Sequence, residues 1–428
     1  MTVLNRKKAP EFKQVDNIHF LDVVKSKLDN GVEFNYINGG SQDIVKIDFI
    51  FNAGNCYQDK PLIASSTNRL IKEGSKNYTS HEISEGIDNY GAFFEVENTY
   101  DTATLTLYTL IKHLTKVLPF VKDVILHPTF TENEFNIYKN NAIERFKINL
   151  EKVSFLARKE FMASIFNNEH PYGYDVTIKD YENLKIEDIK SFYQKHYNLG
   201  NCRILASGKI DTNVVTILND FFGKESLTEN TPQHETNISL TTQKCTKQYI
   251  EKENALQSAI RIGKVFPNKL HEDYYGLQIL NTVLGGYFGS RLMANIREDK
   301  GYTYGIGSGI MSLKNAGYFF ISTEVGSDVT KDALSEIYKE IELLRTEEIP
   351  SKELALVKNY LLGQLLKSCD GPFSMGAMFE NAHEYGLDYN FYNNYIKTIK
   401  EITPKTLLEL GAKYLKKSDL TEIVVGKI

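Results

Sequence analysis

The spacing of the hydrophobic residues differs along the chain: in some segments it is typical of strands and in others of helices. Within residues 35–52, apolar side chains alternate at Val45, Ile47, Phe49 and Phe51. An alternation with period two is typical of a strand that has one buried face. This segment is therefore predicted to be a strand.

Further elements follow along the first 210 residues. Residues 91–110 form two β-rich runs separated by Asn-Thr-Tyr-Asp at 98–101, which predicts a hairpin. Residues 111–126 and 132–167 show helical spacing, and Thr131 stands where an N-cap would begin the second helix. A short helix is predicted over 186–197.

A strand over residues 202–208 completes the order. The order is strand, helix, strand, strand, helix, helix, helix, strand. It predicts an α+β fold, in which helices pack on one face of a mostly antiparallel sheet.

The chain contains an internal repeat. Three stretches recur in the second part of the chain at an offset of 218 or 219 residues: 130–146 in 349–365, 184–197 in 402–415, and 201–210 in 419–428. The last pair ends in Gly-Lys-Ile in both copies. Three matches at nearly one offset predict two homologous halves.

The segment between the halves is polar and rich in Thr, Asn and Ser, as is typical of an exposed linker. We therefore predict a first α+β repeat over residues 1–224, a linker over 225–245 and a second repeat over 246–428.

Composition and charge exclude several classes of protein. The chain has 428 residues, with 50 basic and 55 acidic side chains and a net charge of −5. This balance disfavours a nucleic-acid binder. The four cysteines are far apart, which argues against a disulfide framework or a cysteine zinc site. The sequence contains no run of about 18 apolar residues, as a membrane span would need. The basic start is not followed by the apolar stretch of a signal peptide. We therefore expect a soluble cytoplasmic protein.

Several sequence motifs resemble one known family. The second half carries LGGYFGSRLMANIREDKGYTYGIGSG at 284–309. The first half carries Asn-Ala-Gly at 52–54, Lys-Glu-Gly-Ser-Lys at 72–76, His-Pro-Tyr-Gly at 170–173 and Phe-Tyr-x-x-His-Tyr at 192–197. Over residues 18–428 the chain resembles the pitrilysin/insulinase family of inverzincin metallopeptidases. The resemblance implies the fold of mitochondrial-processing-peptidase-like proteins, with the two halves forming half of a clamshell.

The zinc motif of that family is absent. The family carries His-x-x-Glu-His on a first-half helix, with the second His five residues before the Gly of a Gly-Thr or Gly-Ser turn. At those positions this chain has Ser65, Asn68 and Arg69. An Asn cannot act as the general base, and a guanidinium is a fixed cation. Glu144 lies near the family's third ligand position but lacks His partners, and a catalytic zinc needs three protein ligands.

No other zinc site is indicated. None of the nine histidines lies three to five residues from another. A zinc peptidase with a displaced site is therefore the least favoured hypothesis. We expect no cofactor in this chain, and zinc in a partner subunit.

The second half retains the residues that the family uses on substrate. The resemblance implies that Arg297 and Tyr304 reach into the chamber, hold the peptide backbone and stabilise the charge developing on the scissile carbonyl. Gly301 provides a turn between them. On a strand after that turn Tyr302 and Tyr304 would point the same way, so the choice of Tyr304 rests on the family spacing. The alternative is a solvated Arg-Glu-Asp-Lys helix end with an unrelated tyrosine.

Two further segments allow two interpretations each. Gly285 and Gly286 form either a substrate-contacting loop or a turn before the next helix that needs positive φ. Residues 91–98 occupy the place of the edge strand that pairs with an extended substrate in catalytic members, but a plain structural strand is the simpler interpretation.

These features favour a zinc-less, substrate-binding subunit of a heterodimeric peptidase that acts on peptides or unfolded segments. A homologous subunit with His-x-x-Glu-His would supply the zinc and the general base, so the isolated chain is predicted to be inactive. The alternative is a catalytically inactive scaffold or interaction protein of the same fold, which includes a homodimer. We expect neither nucleic acid nor membrane as a partner.

Overall fold

The computed structural model describes residues 18–227 and 245–427, and these contain two sheets. The strands of the first sheet are β1 (Val24–Lys27), β2 (Glu33–Asn38), β3 (Ile44–Phe51), β4 (Phe93–Asn98), β5 (Ala103–Leu110) and β6 (Cys202–Gly208). Their order across the sheet is β1-β2-β6-β3-β5-β4. The predicted strands and the hairpin lie where the alternating pattern placed them.

The second sheet repeats this arrangement with five strands. They are β7 (Lys247–Glu251), β8 (Gln257–Phe266), β9 (Ile306–Ser312), β10 (Gly317–Gly326) and β11 (Thr421–Gly426). Their order, β7-β11-β8-β10-β9, matches β2-β6-β3-β5-β4 of the first sheet. Only β2–β6 and β7–β11 pair in parallel, so both sheets are mostly antiparallel, as predicted.

Some helices of the first half begin at a residue whose side chain caps the helix. The helices of this half are α1 (Ile63–Leu70), α2 (Ser80–Asp88), α3 (Leu114–Leu126), α4 (Glu132–Leu150), α5 (Val153–Phe166), α6 (Ile178–Asn183), α7 (Ile186–His196) and α8 (Thr212–Leu218). Thr131 accepts the backbone N–H of Glu134 at the start of α4, as predicted.

The single helix predicted over 132–167 was wrong, because Lys152 has extended backbone angles and separates α4 from α5. The apolar pattern continues across this break, which contains neither Gly nor Pro, so the local sequence does not signal it.

The helices of the second half are α9 (Tyr274–Leu284), α10 (Thr330–Thr346), α11 (Ser351–Ser368), α12 (Pro372–His383), α13 (Asn390–Glu401) and α14 (Pro404–Tyr414). A π-helical segment, Met293–Asp299, lies between α9 and β9. No helix within the described ranges is long and apolar enough to cross a membrane.

The repeat found in the sequence is a repeat of structure. At the same offsets, α4 corresponds to α11, α7 to α14 and β6 to β11. The chain is therefore an α+β protein of two homologous halves. Residues 1–17 and 228–244, the latter being most of the predicted linker, lie outside the described residues, so the exact domain limits stay a prediction.

The two halves exchange one helix each. α5 packs on β8 and β11 of the second sheet, while its counterpart α12 packs on β6 and β2 of the first. Each sheet carries its own helices on one face, as predicted, and a helix of the other half on the opposite face. At the α12 contact Phe379, 1% exposed, packs with Ile37, Ile50 and Leu205.

An ion pair and a hydrogen bond between side chains hold α12 against the first sheet. Arg203 of β6 pairs with Glu380, and Glu33 of β2 is hydrogen-bonded to His383 at 2.6 Å. The Arg203 guanidinium is largely buried, so its partner carboxylate is needed to offset the cost of removing the charge from water.

Candidate functional site

Helix α1 carries the three positions that would form a metal site, and the structure places them in different surroundings. The half-buried Ser65 hydroxyl donates to the Leu62 carbonyl oxygen at 3.2 Å. Asn68 is 2% exposed and lies beside Tyr197. Burial raises the pKa of the Tyr197 phenol, and a hydrogen bond with the Asn68 side chain opposes that rise. Arg69 is exposed at the last turn of the helix.

These side chains do not fit a zinc ion. A hydroxyl, an amide and a guanidinium replace the two imidazoles and the carboxylate that such a site needs, and a guanidinium repels a cation. Within residues 18–227 and 245–427, no group of three His, Cys, Asp or Glu side chains could hold a metal.

Glu144 lies away from α1. It is exposed and pairs with Lys147, one turn further along α4, at 2.8 Å. Its neighbour Arg145 instead lines a cavity of about 320 Å³ together with Arg69. Sequence spacing placed Glu144 near the third ligand position of the family. In the structure, the packing of α1 against α4 instead brings Arg145 to the cavity that Arg69 lines.

The second half presents Arg297 and Tyr304 on its surface. Arg297 lies in the last turn of the π-helical segment, with its guanidinium carbon 4.6 Å from the centroid of the Phe288 ring. Tyr304 is 93% exposed. Neither side chain has a hydrogen-bond or ion-pair partner in the described part of the chain, so both remain available to a ligand.

The turn between these residues separates Tyr302 from Tyr304. Gly301 has φ +68°, as expected of a turn glycine. The expectation that both tyrosines lie on a strand was wrong, because β9 starts only at Ile306. Tyr302 packs against the second core while Tyr304 faces out. Of the two, Tyr304 is therefore the more accessible to a ligand.

The π-helical segment is anchored by residues that the sequence analysis did not select. Arg291 forms two hydrogen bonds with Glu353 of α11, at 2.8 and 2.9 Å. The Asn295 amide donates to Glu336 and Glu340 of α10, at 2.9 and 2.7 Å. Arg291 was visible in the Ser-Arg-Leu part of the motif, but its acidic partner lies 62 residues away and could not be recognised from the sequence.

Gly285 and Gly286 are needed for close packing. The Gly285 carbonyl accepts the Ser308 N–H at 3.0 Å, and a Cβ on Gly285 would lie 2.6 Å from that nitrogen. A Cβ on Gly286 would lie 2.7 Å from the Cα of Thr282. Neither glycine has positive φ, so close contact rather than a positive-φ turn requires glycine here, and contact with a substrate stays a prediction.

The two equivalent edge strands differ in how they are covered. β4 ends the first sheet, and its exposed face carries Phe93, which is 57% exposed. β9 ends the second sheet, but Gly285 already bonds to its outer edge at Ser308. β4 is therefore the more open edge for adding an extended segment.

Comparison with known proteins agrees with this architecture. The sequence model described as "Insulinase (Peptidase family M16)" matches residues 36–176, and the one described as "Peptidase M16 inactive domain" matches residues 183–361. The crystal structure of a peptidase M16 inactive domain from Pseudomonas fluorescens superimposes with a TM-score of 0.82 and 21% identity. That match covers 95% of this chain and 99% of the other.

Two curated relatives span most of the chain. The "Uncharacterized zinc protease YmxG" of Bacillus subtilis is 24% identical over 348 residues, covering 80% of this chain and 83% of that protein. The "Non-peptidase homolog YmxG" of Helicobacter pylori is 22% identical over 389 residues, covering 89% and 88%. The matches confirm the resemblance found in the motifs: the chain belongs to the M16 (insulinase) peptidase family, and residues 183–361 match the model of that family's inactive domain.

Proposed function

We propose that this chain is the zinc-less, substrate-binding subunit of a two-component M16 peptidase. The observation that carries the proposal is the contrast between its halves. The first half has lost every donor of the metal motif, whereas the second half holds Arg297 and Tyr304 unpaired at its surface. A scaffold alone would have no physical need for an unpaired guanidinium and an almost fully exposed phenol.

The two side chains suit the chemistry of peptide hydrolysis. The carbonyl oxygen of the scissile bond gains negative charge when water adds to it. A guanidinium and a phenol that donate hydrogen bonds to that oxygen stabilise the transition state, and a single such donor contributes about 100-fold to 1000-fold in rate. Held on one face of the chamber, they also fix the peptide backbone for attack.

The missing parts must come from another chain. We expect a homologous subunit with His-x-x-Glu-His to supply the zinc and the general base. Substrates would be peptides or unfolded segments, because the open edge of β4 can pair with an extended backbone irrespective of its sequence. The isolated chain should therefore hydrolyse no peptide.

The first experiment is capture of the full chain from its own cell extract, followed by mass spectrometry of the proteins that accompany it. A second chain of similar length that carries His-x-x-Glu-His identifies the pair to reconstitute. Recovery of this chain alone, inert on unfolded peptides, contradicts the two-component proposal.

The reconstituted pair then tests the two residues. We expect Arg297→Ala and Tyr304→Phe each to lower kcat/KM by about 100-fold to 1000-fold, since each removes one donor. Arg158→Ala is the control, because Arg158 is exposed and, like Arg297, has its guanidinium over a phenylalanine ring, that of Phe155 at 5.7 Å. Its activity should match that of the wild type.

The second candidate function is a catalytically inactive scaffold. It is favoured by the loss of the metal residues and by the Helicobacter pylori relative, which is named a non-peptidase homolog. If the double variant Arg297→Ala/Tyr304→Phe leaves the activity of the reconstituted pair unchanged, the chain serves assembly rather than substrate binding.

A further inference from the structure

We infer that the cavity beside Arg69, one of the three positions of the missing metal motif, is a carboxylate-binding site formed by Arg69 and Arg145. The substitution of a metal-ligating residue by arginine replaces a bound cation with a fixed one, so the ligand preference of the site changes from cation to anion. The inference deepens the proposed function, on which it rests for the peptide as the source of the carboxylate.

The two guanidiniums share one cavity. Arg69 comes from α1 and Arg145 from α4, and both line the cavity of about 320 Å³ next to Tyr138. The pKa of the Tyr138 phenol is raised, with burial as the main cause. The hydrogen bond with Ser66, at 2.9 Å, and the positive charges of Arg69 and Arg145 all oppose this rise. Two like charges that act on one hydroxyl repel each other unless an anion lies between them.

Two acidic residues also line the cavity, and each accepts a hydrogen bond from another residue. Glu73 accepts the Ser80 hydroxyl at 2.8 Å, and Glu134 accepts the Asn133 amide at 3.2 Å. Neither carboxylate forms an ion pair with Arg69 or Arg145, and within the described residues neither arginine has any acidic partner.

The fold itself does not require this arrangement. The internal repeat places Gln364 of α11 at the position of Arg145, so the second half is built without that charge. The counterpart of Glu134 is Glu353, which forms two hydrogen bonds with Arg291. The second half thus pairs its acid internally, whereas the first half leaves two guanidiniums unpaired beside a cavity.

The chemistry of the cavity defines the ligand class. Guanidiniums bind carboxylates through paired N–H donors in one plane. Ile137, 49% exposed, lies at the rim and offers an apolar contact beside the charges. The ligand is therefore a carboxylate next to an apolar group, either the C-terminus of a peptide or an acidic side chain within it.

A small probe tests the site without relying on peptide binding. N-acetyl-leucine and its amide differ only in the carboxylate, and ligand-detected NMR at millimolar concentrations measures their binding to the full chain. We expect the acid to bind at least fivefold tighter than the amide, with the difference decreasing as salt is raised. Equal binding of the two compounds overturns the inference.

Variants assign the effect to the two arginines. We expect Arg69→Gln and Arg145→Gln each to weaken binding of N-acetyl-leucine by about fivefold to tenfold, since each removes a hydrogen bond to a charged group. Both residues are exposed, so the variants should fold normally. Lys147→Gln is the control: it removes one positive charge from the same helix, but Lys147 pairs with Glu144. A loss equal in all three variants overturns the inference.

Labelled peptides then distinguish the two sources of the carboxylate. One body sequence is made with a free C-terminus, with an amide, and with an amide plus an internal Glu. If only the peptide with the free C-terminus binds more tightly, the carboxylate is the C-terminus. If the amidated peptide with the internal Glu binds as tightly, the carboxylate is the acidic side chain. If no peptide binds but N-acetyl-leucine does so through the arginines, the anion site stands and the proposed peptide function fails.

Discussion

The exchange of helices predicts that a substitution in the second half unfolds part of the first. Phe379 belongs to α12, is 1% exposed and packs with residues of the first sheet. Its ring also stacks on His383, with centroids 4.9 Å apart. Because Phe→Ala at a buried position loses both transfer free energy and packing, Phe379→Ala should lower the free energy of unfolding by about 3–5 kcal/mol.

This loss should appear as local opening of the first sheet. Native-state hydrogen exchange with mass spectrometry measures it in the folded chain. We expect faster exchange in β2 (33–38), β3 (44–51) and β6 (202–208), which contribute the residues around Phe379. Leu356→Ala on α11 is the control: Leu356 is 58% exposed, so its effect should stay within about 0.5 kcal/mol.

The pattern of exchange decides the outcome. If Phe379→Ala increases exchange only within α12 and its neighbours in the second half, the first sheet does not depend on the exchanged helix. The inference of one cooperative unit would then be wrong.

Two other predictions concern single residues. A hydrogen bond with His383 is the first cause that lowers the pKa of Glu33 from its ordinary value of 4.5 to about 2. A lowered carboxyl pKa stabilises the folded state above pH 4.5, so the Tm advantage over Glu33→Gln should disappear as the pH falls towards 2; a constant difference would contradict this. Gly285→Ala should lower the free energy of unfolding by about 1–3 kcal/mol, because the added Cβ clashes with Ser308. Gly363→Ala is the control: Gly363 is exposed in α11, so the change should raise the free energy of unfolding by about 0.5–1 kcal/mol. Equal Tm changes in the two variants would contradict the packing argument.

Local signals in the sequence predicted the local structure well. The hairpin of β4 and β5 was predictable because turn residues separate two β-rich runs. The start of α4 was predictable because Thr131 can cap the helix with its own hydroxyl. The repeat predicted the second half from the first, since each matched stretch forms the same element in both.

Non-local packing could not be predicted in this way. The apolar pattern of residues 132–167 fits one long helix as well as two, because α5 turns away only to reach β8 and β11. Nothing in an amphipathic stretch tells which sheet its apolar side will cover. The exchange of helices between the halves therefore became visible only in the structure.

The same distinction applies to the site. The loss of the metal residues was predictable from the spacing between Arg69 and Gly74. The cavity that Arg69 shares with Arg145 was not, because α1 and α4 meet through tertiary contacts 76 residues apart. Tyr302 and Tyr304 also could not be separated by spacing, and burial against the second core distinguished them.

The architecture explains why a chain can lose the metal residues of its first half and yet keep the entire half. The second sheet needs α5 to cover Ala259, Ile423 and Val425, and α5 belongs to the first half. In return, α12 buries Phe379 against the first sheet. Removing either half would expose an apolar sheet face and leave a helix without its partner. The second half therefore keeps its fold only together with the first half, whatever side chains occupy the positions of the metal motif.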